Sequence, residues 1–231
     1  MKIALLGYGR MGKAIESIAI KRGHTIVSKF DLKKEGEIDN ADVAINFSTP
    51  STAFQNIKEA FNSKIPVVSG TTGWLKDLDE IEKLAIQEKV GFLYSSNFSI
   101  GVNLFFQLNK TLSKLMNSYG YSVKIEEVHH SNKVDMPSGT AISLAEDIIS
   151  KSNYKQWSLK DDGKEILKIK SSRKADTTGI HTVSYNSEFD KISIKHQSHS
   201  RVGYATGALM AAEWLNGKNG VFSMSDVFNI K

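Results

Sequence analysis

Short apolar runs alternate with amphipathic stretches along the chain before Asn97. The runs are rich in Val, Ile and Leu and end in glycine or polar residues, as short buried strands do. The stretches between them repeat apolar residues at helical spacing. This alternation predicts a parallel sheet with helices on both faces, wound by right-handed crossovers. The predicted strands are KIALLG, TIVSKFD, DVAINFS, IPVVSG and GFLYSS, and the predicted helices are GKAIESIAIKRG, STAFQNIKEAFNS and LKDLDEIEKLAIQEK.

The pattern changes after Asn97. NLFFQLNKTLSKLMNSYG predicts one long amphipathic helix, YSVKIEEVHH a strand, and SGTAISLAEDIISK a helix with Ser138 near its N-cap. EILKIKSSR, IHTVSYNSE and KISIKHQSH then alternate with period two and are joined by polar turns, which favours a mostly antiparallel sheet. The apolar stretch YATGALMAAEWLNGK predicts a last helix with Gly217 near its C-terminus.

This order of elements predicts an α/β protein with two domains. Residues 1–99 and 202–231 form a Rossmann-like dinucleotide-binding domain, and residues 100–201 form an α+β domain with a mixed, mostly antiparallel sheet. The last helix is assigned to the first domain because its apolar surface needs an element to pack against.

Composition and charge limit the compartments in which the protein is expected and the kinds of partner that it binds. The chain has no cysteine, which excludes disulfides and thiolate metal sites and suits a reducing compartment. No apolar stretch approaches the roughly 18 residues of a membrane span, so we expect a cytoplasmic protein without a membrane partner. The net charge of +5 suits small anionic ligands. Acidic residues interrupt the most basic region, KSNYKQWSLKDDGKEILKIKSSRK, which we interpret as a solvated face and not a nucleic-acid surface.

A glycine-rich turn joins the first predicted strand to the first predicted helix. Its glycines have the G-x-G-x-x-G spacing of a dinucleotide-binding loop, in the strand-to-helix context that this motif requires. The first glycine allows the tight turn, the second lets the backbone approach a pyrophosphate, and the third lets the helix contact the strand. The predicted cofactor-binding residues of this loop are Gly7, Tyr8, Gly9, Arg10, Met11 and Gly12.

Asp31 ends the second predicted strand, roughly 20 residues beyond the glycine loop. A carboxylate at this position can accept hydrogen bonds from both ribose hydroxyls, which favours NADH. Lys33 and Lys34 follow closely and are able to accommodate a 2′-phosphate, so NADPH stays open.

Two further loops follow later strands at the edge where open α/β sheets bind ligands. Both are rich in small and hydroxylated residues, which also suit ordinary turns. We predict that they contact the cofactor through Gly70, Thr71 and Thr72 in the first loop and through Ser95, Ser96, Asn97 and Phe98 in the second.

The segment EEVHHSNKVDMPSGTA concentrates proton carriers and hydrogen-bond donors. His129 and Lys133 are four residues apart, and a turn would bring both toward one ligand. An imidazole gives or takes a proton near neutral pH. Ser138, Gly139 and Thr140 open a helix whose N–H groups can hold a carboxylate. We predict no metal site, because no third ligand follows the histidine pair at a recognisable spacing.

The stretch HHSNKVDMPSGTA, residues 129–141, resembles the signature of the 4-hydroxy-tetrahydrodipicolinate reductase family, the dihydrodipicolinate reductases of bacterial lysine and diaminopimelate synthesis. The resemblance covers most of the chain. GYGRMG resembles the family's N-terminal loop, GTTG its second cofactor loop, SSNFSIGVN its hinge segment, and SHSRVGYATGALMAAEWLNGKNGVFSMSDV its C-terminal region. RKADTTGIH resembles a family stretch that carries Gly and Glu where this chain has Ala175 and Ile180.

The resemblance implies an NAD(P)H-dependent reductase of 4-hydroxy-tetrahydrodipicolinate, with a small dicarboxylate substrate and a homotetramer assembled through the sheets of the second domain. His129 matches a proposed proton donor or acceptor and Lys133 a proposed proton donor. The implied substrate contacts are His130, Gly139 and Thr140, and we predict Ser138 as a further contact because it opens the same helix. Two alternatives stay open: a different NAD(P)-dependent dehydrogenase of amino acids or sugars, and a non-catalytic NAD(H)-sensing regulator.

Overall fold

The computed structural model of the chain describes residues 1–31, 34–131, 133–200 and 202–229. They form two compact units, Met1–Ile100 with Arg201–Lys231 and Gly101–Ser200. The strands are β1 (Lys2–Leu6), β2 (Thr25–Phe30), β3 (Lys34–Gly36), β4 (Val43–Asn46), β5 (Val67–Ser69), β6 (Gly91–Tyr94), β7 (Ser122–His129), β8 (Gln156–Ser158), β9 (Ile166–Arg173), β10 (Gly179–Asn186), β11 (Lys191–Ser198) and β12 (Gly220–Phe222). The helices are α1 (Arg10–Lys21), α2 (Ala53–Asn62), α3 (Leu78–Glu88), α4 (Ile100–Met116), α5 (Gly139–Ile149), α6 (Val202–Leu215) and α7 (Met224–Val227).

The first unit contains a seven-stranded sheet with the order β12-β6-β5-β4-β1-β2-β3. The strands pair in parallel except for the short edge strand β3, which is antiparallel to β2. The chain moves from β1 to β2 in one direction and from β4 to β6 in the other. The order therefore reverses between β1 and β4, and the loops that follow these two strands lie at the position where doubly wound sheets bind ligands.

Alternating side chains of the first sheet enter two separate cores. Ile3 and Leu5 of β1 pack with residues of α1 and α6, whereas Ala4 and Leu6 pack with residues of α2 and α3. The helix α6 is apolar on most of its surface and is mostly buried, as expected for a helix enclosed by neighbouring elements. Helices on both faces remove the sheet from solvent, which explains why its strands are continuous apolar runs.

The second unit contains a five-stranded sheet with the order β11-β10-β7-β9-β8. β10 pairs antiparallel with β11 and β7, while β9 pairs in parallel with β7 and β8. The sheet is thus mixed, as predicted, and its two antiparallel pairings are longer than its two parallel ones. One face packs against α4 and α5 through a core that includes Phe105, Ile125, Leu144, Ile169 and Val183.

The predicted fold class is confirmed, and each predicted strand and helix overlaps an observed one, although α1, α4, β10 and α6 begin one to three residues before the predicted stretch. The pattern missed the short elements β3, β8, β12 and α7, whose few residues carry little periodic signal. The basic stretch interpreted as a solvated face includes β8, where Trp157 packs partly buried against the core of the second unit. In the part of the chain that the structure describes, every helix is too short or too polar to cross a bilayer.

Candidate active site

The glycine loop between β1 and α1 has the close contacts that its spacing predicts. Gly7 has a φ of 108°, and a Cβ there would lie 2.2 Å from the carbonyl oxygen of Phe47. A Cβ on Gly12 would lie 2.4 Å from the carbonyl oxygen of Gly7, so this glycine permits the helix to approach the loop. Gly9 has no atom within 4 Å of its Cβ position, which leaves the middle of the loop open on that side.

A cavity of about 330 Å³ lies beside this loop, within the first unit. It brings Gly7, Tyr8 and Gly9 together with Asp31, which follows β2 and is exposed. Four of the predicted cofactor residues therefore share one cavity at the reversal of strand order. The opposite wall, which the sequence reasoning missed, is formed by the hydroxylated loop and first turn that follow β4: Ser48, Thr49, Thr52 and Asn56.

The Tyr8 side chain is held against the sheet. Its hydroxyl donates a hydrogen bond to Glu16, and the Lys29 ammonium lies 2.7 Å from Glu16 and 4.6 Å from the centre of the Tyr8 ring. Of the other predicted loop residues, Arg10 is exposed at the start of α1, and Met11 packs against the core. These contacts fix one wall of the cavity and leave the backbone of Gly9 accessible.

The loop after β5 is joined to the loop after β4. The Thr71 hydroxyl is buried and accepts a hydrogen bond from the Ser48 N–H at 2.9 Å. A Cβ on Gly70 would lie 2.2 Å from the Phe47 ring, so glycine is needed for this contact, and Thr72 is exposed. Thr71 thus supports a residue of the cavity wall, and the predicted cofactor contacts of Gly70, Thr71 and Thr72 stay predictions.

The loop after β6 is a hydrogen-bonded turn. The Ser95 hydroxyl donates to the Asn97 carbonyl, and the Asn97 side chain accepts from the Ser99 N–H. Phe98 is 2% exposed and packs edge-on against Phe47 in the core, while Ser96 is exposed. The buried Phe98 ring therefore has a structural role, and cofactor contacts by Ser95 to Phe98 stay predictions.

The second unit has a buried carboxylate at the centre of its polar cluster. Glu127 is 1% exposed and lies near the end of β7 on the face that packs against the helices. One of its oxygens accepts a hydrogen bond from the Ser171 hydroxyl at 2.6 Å, and the other accepts one from the Ser138 hydroxyl. His129 Nδ1 and His181 Nε2 each lie 3.5 Å from Glu127 Oε2. Strand register produces this cluster, because β10 places His181 and β9 places Ser171 directly beside Glu127.

The pKa values of Glu127 and His129 in this cluster are strongly shifted from their ordinary values. Burial raises the pKa of Glu127, but the contacts with His181, Ser138 and Ser171 outweigh it and lower the pKa to about 2. Burial, reinforced by the electrostatic effect of nearby His181, lowers the pKa of His129 to about 4. His129 is therefore a neutral imidazole at neutral pH, beside an ionised carboxylate.

Glu127, His129 and His181 also have ligand atoms within 4.8 Å of one another, a spacing that suits a metal ion. The fold supplies from β10 the third ligand that the sequence spacing did not reveal. Both oxygens of Glu127 already accept hydrogen bonds from Ser138 and Ser171, whereas His129 Nδ1 and His181 Nδ1 are buried without a hydrogen-bond partner among the described residues. The absence of a metal from the function stays a prediction.

Lys133 lies in the irregular segment between β7 and α5. Its ammonium is 2.8 Å from Asp135 Oδ1, and its side chain is 23% exposed. Burial raises the pKa of Asp135, but the hydrogen bond and charge of Lys133, together with smaller contributions from the backbone and His129, outweigh it and leave the pKa lowered. Arg173, at the end of β9, donates hydrogen bonds to the backbone carbonyls of Lys133 and Asp135. The loop that carries the predicted proton donor is thus attached to the sheet.

The start of α5 lies against the same carboxylate. Ser138 is the N-cap, and its hydroxyl accepts the Ala141 N–H while donating to Glu127. The hydroxyl is buried and engaged, so the groups that remain to hold an anion are the N–H groups of Gly139 and Thr140. His130 follows β7, is half-buried, and accepts the Lys133 N–H through its carbonyl oxygen. Substrate contacts by His130, Ser138, Gly139 and Thr140 stay predictions.

Two family models match almost the whole chain. The model described as dihydrodipicolinate reductase, N-terminus, matches residues 1–98, and the model described as dihydrodipicolinate reductase, C-terminus, matches residues 101–228. The chain belongs to the dihydrodipicolinate reductase family. The predicted family and the predicted oxidoreductase class are confirmed, and the two alternatives that the glycine loop left open lose their support.

Relatives of known name agree with this membership. A 4-hydroxy-tetrahydrodipicolinate reductase of Christiangramia forsetii is 49% identical over 99% of this chain and 98% of its own length. The 4-hydroxy-tetrahydrodipicolinate reductase of Neisseria gonorrhoeae is 29% identical over 100% of this chain and 98% of its own length.

Solved structures share the fold at low identity. A dihydrodipicolinate reductase from Paenisporosarcina sp. TG-14 with bound dipicolinate superposes with a TM-score of 0.78 at 21% identity, over 96% of this chain and 97% of that chain. An engineered D-amino acid dehydrogenase bound to NADP⁺ has a TM-score of 0.54 at 12% identity, over 96% and 92%. The fold is thus common to several dehydrogenases, and the dihydrodipicolinate reductase family is identified by sequence.

No role was predicted from the sequence for three functional candidates in this reductase, Glu127, Arg173 and His181, although the last two begin and end the stretch RKADTTGIH that resembles the family. One signal was present for Glu127. In YSVKIEEVHH, residues 123, 125, 127 and 129 fall on one face of the strand, and two of them are apolar. A carboxylate on the apolar face of a strand requires buried partners, and those partners come from elements distant in sequence.

Proposed function

We propose that the first unit binds NADH and that the second unit binds 4-hydroxy-tetrahydrodipicolinate, with Lys133 as the proton donor. The observation that carries this proposal is the group of segments around Glu127. This one carboxylate contacts His129 and the N-cap of α5, and it connects through Ser171 and Arg173 to the loop of Lys133. The loop of the proposed proton donor, a neutral imidazole and the proposed anion-binding helix start are therefore connected to one buried carboxylate.

The start of α5 is suited to one carboxylate of the substrate. The N–H groups of Gly139 and Thr140 lie at the positive end of the helix dipole, where negative charge is stabilised by typically about 0.3–1 kcal/mol when exposed. Dipicolinate, which is bound to the solved reductase from Paenisporosarcina, is a planar dicarboxylate of the same type as the proposed substrate. The Lys133 ammonium, now paired with Asp135, offers a second positive group within the same segment.

The protonation states assign different roles to the two predicted proton carriers. When bound, the nicotinamide supplies the hydride for the unsaturated ring after the 4-hydroxyl is lost as water. His129 is neutral above about pH 4, so its imidazole is a weak acid at neutral pH. An ammonium is charged there and can both neutralise the developing negative charge and deliver the proton. We therefore assign proton delivery to Lys133 and a hydrogen-bonding role beside the ring to His129.

The first unit fits a dinucleotide and, we propose, prefers NADH to NADPH. The open side of Gly9 and the start of α1 suit the pyrophosphate, and Asp31 lines the same cavity. A carboxylate at this place accepts the ribose hydroxyls of NADH and repels a 2′-phosphate. Lys33 and Lys34 were predicted to accommodate a 2′-phosphate. Lys33 lies outside the described ranges, and the structure does not describe the Lys34 side chain, so this possibility stays a prediction.

We also propose a cytoplasmic homotetramer assembled through the second sheet. The face of that sheet opposite α4 and α5 carries Lys124, Glu126 and Lys170, whose side chains are partly exposed, and Glu126 pairs with both lysines. Light scattering of the purified protein tests the assembly, since a monomeric mass at micromolar concentration would contradict it. Cell fractionation tests the location.

Turnover on enzymatically generated substrate tests the function and the cofactor preference together. NADH and NADPH oxidation are followed at 340 nm in parallel, with other keto and imino acids as comparison substrates. We expect turnover with 4-hydroxy-tetrahydrodipicolinate only, and a higher kcat/KM with NADH. Oxidation of either cofactor by another imino acid, without turnover of the pathway substrate, would overturn the proposal.

A further inference from the structure

Arg173 contacts the active-site segment through both ends of its guanidinium group. Its Nε donates to the Lys133 carbonyl at 3.3 Å, and one terminal nitrogen donates to the Asp135 carbonyl at 2.6 Å. The other terminal nitrogen donates to the Ser171 hydroxyl at 3.0 Å and to the Ser172 carbonyl at 3.1 Å. A planar group with fixed donors thus spans the end of β9 and the loop that carries Lys133.

The buried carboxylate of Glu127 interacts with this guanidinium group through Ser171. Ser171 accepts from Arg173 and donates to Glu127, and the charged groups of Arg173 and Glu127 lie 3.8 Å apart. The Arg173 side chain is 16% exposed and Glu127 is fully enclosed, so solvent screens this pair little. A continuous chain of hydrogen bonds, called the relay below, therefore runs from Glu127 through Ser171 and Arg173 to the loop.

The loop has few other attachments near Lys133. The Lys133 N–H donates to the His130 carbonyl, and the Lys133 ammonium pairs with Asp135, and both of these partners are local in sequence. Among the described residues, Arg173 supplies the hydrogen bonds that attach the carbonyls of Lys133 and Asp135 to the sheet. Its removal would leave the local contacts intact while freeing the loop from the strand.

We propose that Arg173 is a positioning residue, which acts on the reaction by holding the backbone on either side of Lys133. The inference rests on the proposed role of Lys133 as proton donor. Lysine cannot replace Arg173 in this role, because a single ammonium cannot reach both loop carbonyls and the Ser171 hydroxyl at once. A misplacement of about 1 Å is enough to cost up to roughly 100-fold in rate.

Steady-state kinetics of Arg173→Lys test the geometry. We expect kcat to fall by about 10- to 100-fold, while the dissociation constant of NADH stays unchanged because the first unit is untouched. The matched control is Arg22→Lys, which alters an exposed arginine paired with Glu213 in the first unit and should leave kcat as in the natural protein. A normal kcat for Arg173→Lys would overturn the inference.

A double-mutant cycle separates positioning from general stability. If Arg173 acts through Lys133, Arg173→Ala lowers kcat in the natural background but changes it less than about twofold in a Lys133→Ala background. An equal fall in both backgrounds shows an effect that does not pass through Lys133 and overturns the inference. Normal turnover of Lys133→Ala alone would refute the proposed proton donor. This single variant is therefore measured before the double variant.

Chemical rescue and a pair of serine variants give changes in kcat that a purely structural role of Arg173 would not produce. Guanidinium at millimolar concentration should restore part of the kcat of Arg173→Ala and none of that of Lys133→Ala. Ser171→Ala, which breaks the relay, should lower kcat several-fold, whereas Ser172→Ala, whose side chain is on the other face of β9, should not. Lack of rescue in a variant that is folded by circular dichroism, together with equal kcat in the two serine variants, would overturn the relay.

Discussion

The proposed cofactor site and the proposed substrate site are built in opposite ways. The first is made largely of backbone: glycines allow a turn and a close helix approach, and the cavity beside them lies between adjacent loops of one sheet. The second is made of side chains from three strands and a helix, which meet at the buried carboxylate of Glu127. A backbone site depends on where side chains are absent, whereas a side-chain site depends on sheet register.

This difference decides how each site responds to change. In the glycine loop, an added methyl group is harmful or harmless according to the space at that position. Around Glu127, the loss of a single hydrogen-bonding group leaves its partners buried and unsatisfied, which typically costs about 1–3 kcal/mol per group. The following expectations test the contrast, beginning with the largest effect.

Replacement of the proposed proton donor should separate chemistry from cofactor binding. We expect Lys133→Ala to lower kcat by roughly 100- to 10,000-fold, the usual range for general acid catalysis, with little change in NADH affinity. Lys151→Ala is the matched control, because Lys151 is an exposed lysine just after α5 in the same unit. Stopped-flow hydride transfer and NADH fluorescence titration give the two quantities. A parallel loss of NADH affinity would contradict the separation of the sites.

Two alanine substitutions in the glycine loop should behave differently. Gly7→Ala places a methyl group in a left-handed conformation and against the Phe47 carbonyl, so the free energy of unfolding should fall by about 3 kcal/mol or more. Gly9→Ala meets no atom within 4 Å and should keep normal stability while weakening NADH binding about tenfold or more by blocking the phosphate approach. Urea denaturation and calorimetric titration measure the pair. Unchanged NADH binding by Gly9→Ala would place the pyrophosphate elsewhere.

Acid should weaken the second unit through His129. Its pKa is about 4 in the folded protein against an ordinary value of 6.5, so the unfolded chain binds more protons between these values. Stability is therefore fully present above about pH 6.5 and is lost as the pH falls toward 4, by about 2–3 kcal/mol at pH 4.5. Below pH 4.5 the ionised Glu127, with a pKa of about 2, adds a further loss.

Urea denaturation between pH 7 and pH 4.5 measures this dependence. His129→Gln should remove much of the slope, while His199→Gln, at an exposed histidine, should keep it. An equal slope in both variants would show that His129 is not the group that titrates.

The smallest expected effect concerns the choice of cofactor. Asp31→Asn removes the charge that repels a 2′-phosphate and weakens the hydrogen bonds to the ribose, so the ratio of kcat/KM for NADPH over NADH should rise about tenfold. Asp79→Asn, an exposed position on α3, is the control. A ratio that does not change would remove Asp31 from the cofactor site.

Much of the first unit was predictable because its signals are local. Apolar runs identified β1, β2, β4, β5 and β6, and the glycine spacing identified the loop whose cavity the structure shows. The hydroxylated wall from Ser48 to Asn56 was missed, although STPST follows a buried strand at the edge where ligands bind. Sequence order alone did not show that this loop lies beside the glycine loop, because their adjacency comes from the pairing of β1 with β4.

The second site was only half predictable. The family signature drew attention to His129, Lys133 and the start of α5, but the sequence between them does not show what holds them. Arg173 and His181 follow Glu127 by 46 and 54 residues along the chain, and only the pairing of β7 with β9 and β10 brings them to it. Register of this kind is set by the whole sheet and is not visible in a local pattern.

The first unit takes its last strand and one of its main helices from the end of the described chain. During synthesis, the glycine loop and most of the parallel strands leave the ribosome long before α6, which shares one face of their sheet with α1. The part of that face that α6 covers stays exposed until the whole second unit has been translated, and a nascent chain in this state is open to capture by chaperones or to aggregation. A premature stop within the second unit would therefore leave the sheet of the first unit without α6, even though every residue that lines the proposed cofactor cavity had already been made.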